Sequence, residues 1–333
     1  MTSMRFHRRA LLAAAGALPA SLALPALAQA YPARPVRVVV PFPPGNTSDI
    51  LARLVAEDLQ ARNGVTVVIE NRAGASGALG VQAVTGARPD GYTLLCTTQS
   101  PLVVNPPLTR NLPYDPIRDL TPIGVFARNG FVLCVAPNFP ARTMAEAAAV
   151  LRAAPPGRFT AANPGLGTMS HLAMELLGLS LGTKIESVPY RGSAQALTDL
   201  AAGRVDLMID GFASAVPQAR GGTVRALALI QPGRSELVPE VPGMAESGVP
   251  ELATMEALSW TAMLAPANTP AEIVTWWVEA LRRVMSDAGI ARRLAQTFIG
   301  AFPPEAPAAF AAEIARDLAK WTRVVREARI EPQ

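Results

Sequence analysis

The stretch Val36 to Leu54, VRVVVPFPPGNTSDILARL, constrains what this chain can fold into more than any other. Val36 to Val40 is an almost unbroken β-branched run, the pattern of a strand covered on both faces. Pro41, Pro43, Pro44 and Gly45 end it. Thr47 or Ser48 is expected to cap a helix whose apolar positions Ile50, Leu51, Leu54 and Val55 recur at helical spacing. Such a loop carries no cation, yet it turns unpaired N–H groups and a positive dipole end outward, which suits a carboxylate or another small anion.

Ahead of this unit lies a segment that reads as an export signal. Arg5, Arg8 and Arg9 form a cationic start, Ala10 to Leu24 is largely apolar, and Ala28-Gln29-Ala30 offers a small-x-small cleavage site, so cleavage is expected after Ala30. A membrane anchor is the alternative, but the apolar run is short and broken by Pro19 and Pro25. Arg8-Arg9 leaves both the general and the twin-arginine export routes open. The expected location is the periplasm. The leader holds three of the 30 basic residues and none of the 26 acidic ones, so the remaining chain is close to neutral. Its charges are interspersed without a basic, aromatic-rich run, which argues against nucleic acid as a partner.

Beyond the leader, strand-like and helix-like segments alternate, the pattern of an α/β fold with mostly parallel sheets. Strands are expected at Val65–Ile69, Tyr92–Cys96, Ile123–Phe126, Phe131–Val135, Phe159–Ala162, Ile185–Tyr190, Val205–Ile209 and Trp260–Leu264. Asn105 to Pro122 reads as an irregular, Pro-rich connection. Thr143 with Glu146 predicts one capping box, and Thr269 with Glu272 another. Phe310, Ile314, Leu318 and Trp321 form an apolar stripe on a C-terminal helix, expected in the core. Cys96 and Cys134 fall in strands and are expected as two buried thiols rather than a disulfide. No internal repeat stands out. Loops 43–48, 97–100 and 163–168 follow strands and are rich in Gly, Thr, Ser or Asn, which places a ligand cleft beyond the strands' carboxyl ends.

Several longer segments then point to one family. VPFPPGNTSDILARL (40–54), VVIENRAGASGALG (67–80), PDGYTLL (89–95), LPYDPIRDLTPI (112–123), AANPGLGTMSHLAMEL (161–176) and VPYRGSAQALTDLAAGRVDLMID (188–210) occur in order, with LVPEVPGMAESGVP (237–250) and LAPANTPAEIV (264–274) after them. In these the chain resembles the substrate-binding proteins of tripartite tricarboxylate transporters, the Bug family of periplasmic receptors, over residues 35–325. The resemblance implies a two-lobed, type II-like binding protein, each lobe a mostly parallel sheet flanked by helices, with the ligand between lobes. Lobe 1 would comprise 31–131 with 256–333, and lobe 2 132–255. It implies a receptor rather than an enzyme, monomeric, binding a small carboxylate-bearing acid without cofactor or metal and handing it to membrane subunits. A binding protein that reports to a sensor kinase is the alternative, and a periplasmic hydrolase a remote one.

Carried onto this sequence, the contact residues would be Phe42, Pro43, Gly45, Asn46, Thr47 and Ser48 in the first loop and Thr97, Thr98 and Ser100 in the second. Asn163, Gly167 and Thr168 would act in the third, and Asp210 after a later strand. Thr98, Ser100 and Thr168 suit the role because small hydroxyls donate to a carboxylate without filling a cleft. Asn46 stands where the family often has a second glycine, and its side chain is expected to reach the site. Gly211 and Phe212 stand where a polar residue often follows the aspartate. Asp49 would repel an anionic ligand and is expected to stabilise the first helical turn, with Arg53 on the helix away from the loop. Asp210 either meets a ligand hydroxyl or amine or finishes its strand. Arg191 either meets a second carboxylate or forms a surface ion pair. His171 is the only histidine beyond the leader, which leaves a zinc site or a Ser-His-Asp triad without support.

Overall fold

The computed structural model describes residues 31–332, so the export signal lies outside the described residues. From Arg34 onward the chain forms one compact unit. Its strands are β1 (Val36–Val40), β2 (Val67–Asn71), β3 (Thr93–Thr98), β4 (Leu120–Val135), β5 (Thr160–Asn163), β6 (Glu186–Pro189), β7 (Leu207–Gly211), β8 (Arg225–Leu229), β9 (Leu258–Pro266) and β10 (Gly300–Ala301). Its helices are α1 (Thr47–Asn63), α2 (Ala78–Thr85), α3 (Asn105–Leu108), α4 (Met144–Ala153), α5 (Met169–Leu181), α6 (Ser193–Ala201), α7 (Phe212–Arg220), α8 (Ala271–Met285), α9 (Ala288–Ala295) and α10 (Pro307–Glu327).

Two half-sheets share one strand. The path runs β2-β1-β3-β9-β4-β7-β5-β6, with β10 and β8 also paired to β4. Strands β1, β2 and β3 are parallel, as are β5, β6 and β7; β9 runs against β3 and β4, and β4 against β7. Strand β3 therefore runs with β4, whereas β7 runs back along it. Thr98 is level with Thr261 and so with Ala127, while Gly211 is level with Phe131. At the strand rise of about 3.3 Å per residue, the ends of β3 and β7 approach to about 13 Å along β4. The carboxyl ends of the two half-sheets thus face each other across residues 127–131, where a parallel α/β fold places its ligand.

The sequence led to two strands, Ile123–Phe126 and Phe131–Val135, where the structure has the single β4. Asn129-Gly130 reads locally as a turn, but both residues pair with β9, at Ser259 and Leu258. Glycine is needed here for space. A Cβ on Gly130 would lie 2.3 Å from the Phe212 ring, which is itself buried. Arg128 anchors the same stretch through a double hydrogen bond to Glu313 of α10, at 2.6 and 2.7 Å. Other boundaries shift by one to three residues, and the Pro-rich connection, preceded by a π-helical turn at Ser100–Val104, opens with α3 and ends where β4 begins at Leu120. Helix α8 begins after Pro270 with no side-chain cap, because the Thr269 hydroxyl donates instead to the Pro266 carbonyl.

Apolar packing follows the sequence closely. Phe310, Ile314 and Trp321 of α10 are buried with Leu318 packed beside them, and Trp260 meets Phe310 edge to face at 5.2 Å. Cys96 and Cys134 are free and fully buried in different half-sheets. Burial raises both thiols, Cys134 to about 12. No described helix is long and apolar enough to cross a membrane.

Two outcomes are expected. A thiol reagent should find no reactive cysteine in the native protein and two after unfolding without reductant; fewer than two would show a disulfide. Gly130→Ala should cost about 1–3 kcal/mol in denaturant unfolding, the range for overpacking a filled site, and a loss under about 0.5 kcal/mol would contradict the contact with Phe212.

Candidate functional site

Four loops follow the facing strand ends, and their polar groups fall into two sets. In the first set, hydrogen bonds within the protein hold the loops in shape. Asn46, rather than Thr47 or Ser48, caps α1: its side-chain oxygen accepts from Asp49 N–H at 3.1 Å. The amide of asparagine reaches the third helical N–H, so its oxygen is turned onto its own helix. Asp49, buried at 3% exposure, turns back further and accepts the Gly45 N–H at 2.9 Å. It also accepts from Arg53 Nε at 3.0 Å and from Asn71 Nδ2 at 3.0 Å. Arg53 in turn donates to the Asn71 side chain, so it supports the loop from behind rather than standing clear of it.

The third loop repeats this design. Thr168 caps α5 by accepting from His171 N–H, and the Gly167 N–H donates to His171 Nδ1 at 3.1 Å. Gly45 and Gly167 both have positive φ, 86° and 72°, which only glycine adopts freely. Superposed by role, GNTSDILAR (45–53) and GTMSHLAME (167–175) share glycine, cap, serine and a fifth residue that grips the glycine amide. The two segments share little sequence, so the repeat is visible only in the hydrogen bonds. Helix α4 closes a similar ring, from Arg142 N–H to Glu146 and from Glu146 N–H to Thr143, but with an ordinary residue in place of glycine.

This usage narrows the expected contact set. The Gly45 and Gly167 amides are occupied. The Thr168 hydroxyl donates to Gly165 O at 2.8 Å and is therefore not free to donate to a carboxylate. Asn163 donates to Ser187 Oγ at 2.6 Å and accepts from Gly165 N–H, which shapes its loop. Thr97 is buried and donates to Thr98 O. Asp210, 4% exposed, accepts from Ser214 Oγ at 2.6 Å and Ser170 Oγ at 3.4 Å, so it fastens β7 to α7 and α5. Phe42 accepts the Asn71 amide through its carbonyl. Pro43 is exposed.

The second set has no partner among the described residues. It comprises the N–H groups of Thr47 and Ser48 at the start of α1 and those of Met169 and Ser170 at the start of α5. Ser48 Oγ is buried with no hydrogen bond, and so is Thr261 Oγ1, directly across from Thr98 in the β3–β9 pairing. Buried hydroxyls are almost always bonded, so each of these two orphans marks a place where a polar atom belongs. Thr261 carries no local sequence signal; only the register of β9 brings it to Thr98. The Cys96 thiol donates to Ser48 O at 3.5 Å, which seats α1 on β3. Ile50 and Leu166 are exposed at 47% and 60%, one beside each of the two matched loops. A Cβ on Gly211 would meet nothing within 4 Å, while Gly167 lies close to Leu108 of α3, so the third loop already touches the segment after β3. A cavity of about 640 Å³ lies against the β4 crossing, by Gly130, Phe212 and Phe302, and none of the expected contact residues lines it. Among the described residues no group of three or more His, Cys, Asp or Glu could hold a metal.

The Asp49 network sets a pH response. The Arg53 guanidinium, then the Gly45 and Asn71 donors, outweigh burial and hold the carboxyl at about 2 against the usual 3.8. A depressed carboxyl contributes stability that is complete above its unfolded value and lost as pH falls through the folded one. The size is about 2 kcal/mol. Asp49→Asn should therefore be less stable than the parent by about that amount from pH 7 to 5, in urea melts. The gap should narrow below pH 4; a gap that widens on acidification would refute this reading.

Residues 51–330 match the profile of the tripartite tricarboxylate transporter family receptor, TctC. Protein BugT of Bordetella pertussis is 37% identical over 315 residues, covering 92% of this chain and 93% of that protein. A Rhodopseudomonas palustris protein solved with adipate superposes at TM-score 0.74 with 34% identity, over 91% of this chain and all of the other. MatC from the same species, solved with bound malate, superposes at 0.69 with 31% identity, over 89% of this chain and all of the other. Solved relatives include periplasmic binding proteins, BugD among them. Family and fold agree: the chain belongs to the TctC receptors of tripartite tricarboxylate transporters, two-lobed periplasmic solute-binding proteins rather than enzymes.

Proposed function

We propose that this protein is exported through the leader 1–30 and captures a small carboxylate-bearing organic acid in the periplasm for the membrane subunits of a tripartite transporter. The observation that carries this is the start of α1. Two N–H groups, Thr47 and Ser48, start a helix of 17 residues with no acceptor among the described residues, and the buried Ser48 hydroxyl beside them has no partner there either. A carboxylate satisfies such donors with charge-assisted hydrogen bonds at the favourable end of the dipole. The first turn also carries an anion, Asp49, but that charge is taken up by Arg53 and Asn71 and by the Gly45 amide, so it offers little repulsion at the mouth.

On this reading lobe 1 comprises 31–131 with 256–333 and lobe 2 comprises 132–255, and the start of α5 faces the ligand from the second lobe. Thr98 and Ser100 line the floor from β3. Asn163, Thr168 and Asp210 shape the walls instead of bonding the ligand. Relatives solved with adipate and malate bind dicarboxylates, and a dicarboxylate suits two helix starts facing one another. The open space at Gly211, with Ile50 and Leu166 beside the two loops, leaves room for an apolar segment between the carboxylates.

Calorimetry on unfolded and refolded protein, freed of any retained acid, against mono-, di- and tricarboxylates should find saturable binding. Ser48→Ala should weaken it by about 1.5–3 kcal/mol, the worth of one hydrogen bond to a charged group. Failure of every acid in the panel to bind would overturn the proposal.

A further inference from the structure

The proposed function leaves His171 unused. It is buried at 4% exposure at the fifth position of GTMSHLAME, where GNTSDILAR has Asp49. We propose that His171 is the positioning residue of the second-lobe loop: its Nδ1 lone pair holds the Gly167 amide and thereby aims the free N–H groups of Met169 and Ser170 at the ligand. This rests on the receptor reading above, which it extends by assigning the second lobe its own pre-shaped helix start.

The chemistry follows from the contacts. An imidazole nitrogen that accepts an N–H is the one without a proton, so the ring proton is on Nε2, which lies 3.5 Å from Glu175 Oε1. The ring lies between the loop glycine and a carboxylate on the next turn. In the first lobe Asp49 grips the glycine and Arg53, also one turn on, supplies the compensating charge. Both arrangements fix the glycine amide, but with opposite polarity: an anion backed by a cation in one lobe, a neutral ring backed by an anion in the other. A neutral acceptor grips Gly167 without placing a charge between Glu175 and the helix start. Without that acceptor, Gly167 loses the bond that fixes its φ of 72°, and the two following N–H groups lose a fixed direction. Binding pays for reordering whatever is not already ordered, so a loosened loop weakens affinity.

Three measurements test this on the mature chain. In isotope-labelled protein without ligand, a through-hydrogen-bond coupling between Gly167 N and His171 Nδ1 is expected; its absence, with the loop folded, would overturn the contact. Adipate and malate binding is then compared in His171→Asn, whose side-chain oxygen sits where Nδ1 does, and in His171→Leu, which fills similar space with no acceptor. His171→Asn should stay within about threefold of wild type and His171→Leu should lose about tenfold or more, the size of a lost hydrogen bond. Equal affinity of His171→Leu and wild type, or equal loss in both variants, would overturn the positioning role. Should His171→Leu fail to fold, retention or loss of affinity in His171→Asn decides. A wild-type protein that binds neither acid nor any other in the panel refutes the receptor reading, and the positioning of Gly167 then stands or falls on the coupling alone.

Discussion

Everything in this molecule that concerns a ligand depends on β4 being one unbroken strand. Its 16 residues pass from one half-sheet into the other, and each part needs neighbours on both sides to satisfy its backbone. On one side β9 serves to Gly130, and Ile230 and β8 then take over, with Ile230 N–H donating to Phe131 O. On the other side β10 pairs at Ala127 and Arg128, and β7 from Phe131 onward. Because β3 ends short of that exchange and β7 ends just past it, the loops after them face one another. This facing of strand ends follows from where two strand sets change partners on a third.

Residues 128–131 are correspondingly well supported. Arg128 is fastened to α10 through Glu313, and Phe212 lies in the space that the missing side chain of Gly130 leaves. Phe212 is also the first residue of α7, directly after the Asp210-Gly211 end of β7, so the loop end of the second half-sheet and the crossing strand share one contact. The Phe212 ring thus packs against Gly130 at the point where β4 passes from one half-sheet to the other.

The loop design separates donors that build from donors that serve. Glycine amides, cap side chains and the asparagine and aspartate side chains are bonded internally, and this holds the free N–H groups of α1 and α5 in fixed directions. Pre-ordered donors bind without a further ordering cost. Keeping charge away from the mouth also matters. Asp49 is neutralised from behind by Arg53, and the equivalent position in the second half is an imidazole rather than a carboxylate.

Much of this was legible in the chain itself. Val36–Val40, the loop after it and the helix that follows were evident because β-branched runs, proline and helical periodicity act locally, and the α/β class followed from their alternation. The apolar stripe of α10 and the two buried thiols were likewise local properties of their segments. Which donors stay free was not. The Asn46 oxygen caps α1, a role the sequence assigned to Thr47 or Ser48, and the Thr168 hydroxyl donates to Gly165. Arg53 was expected to stand apart and instead braces Asp49 and Asn71, because β2 brings Asn71 to that spot from 18 residues away. The unity of β4, the arrival of Thr261 beside Thr98 and the match between 45–53 and 167–175 were decided by strand pairing and hydrogen-bond geometry. Sequence determines which segments form strands, loops and helices, since propensity is local; only the tertiary structure decides which polar groups are used up and which remain, since each bond depends on what the rest of the fold brings within 3 Å.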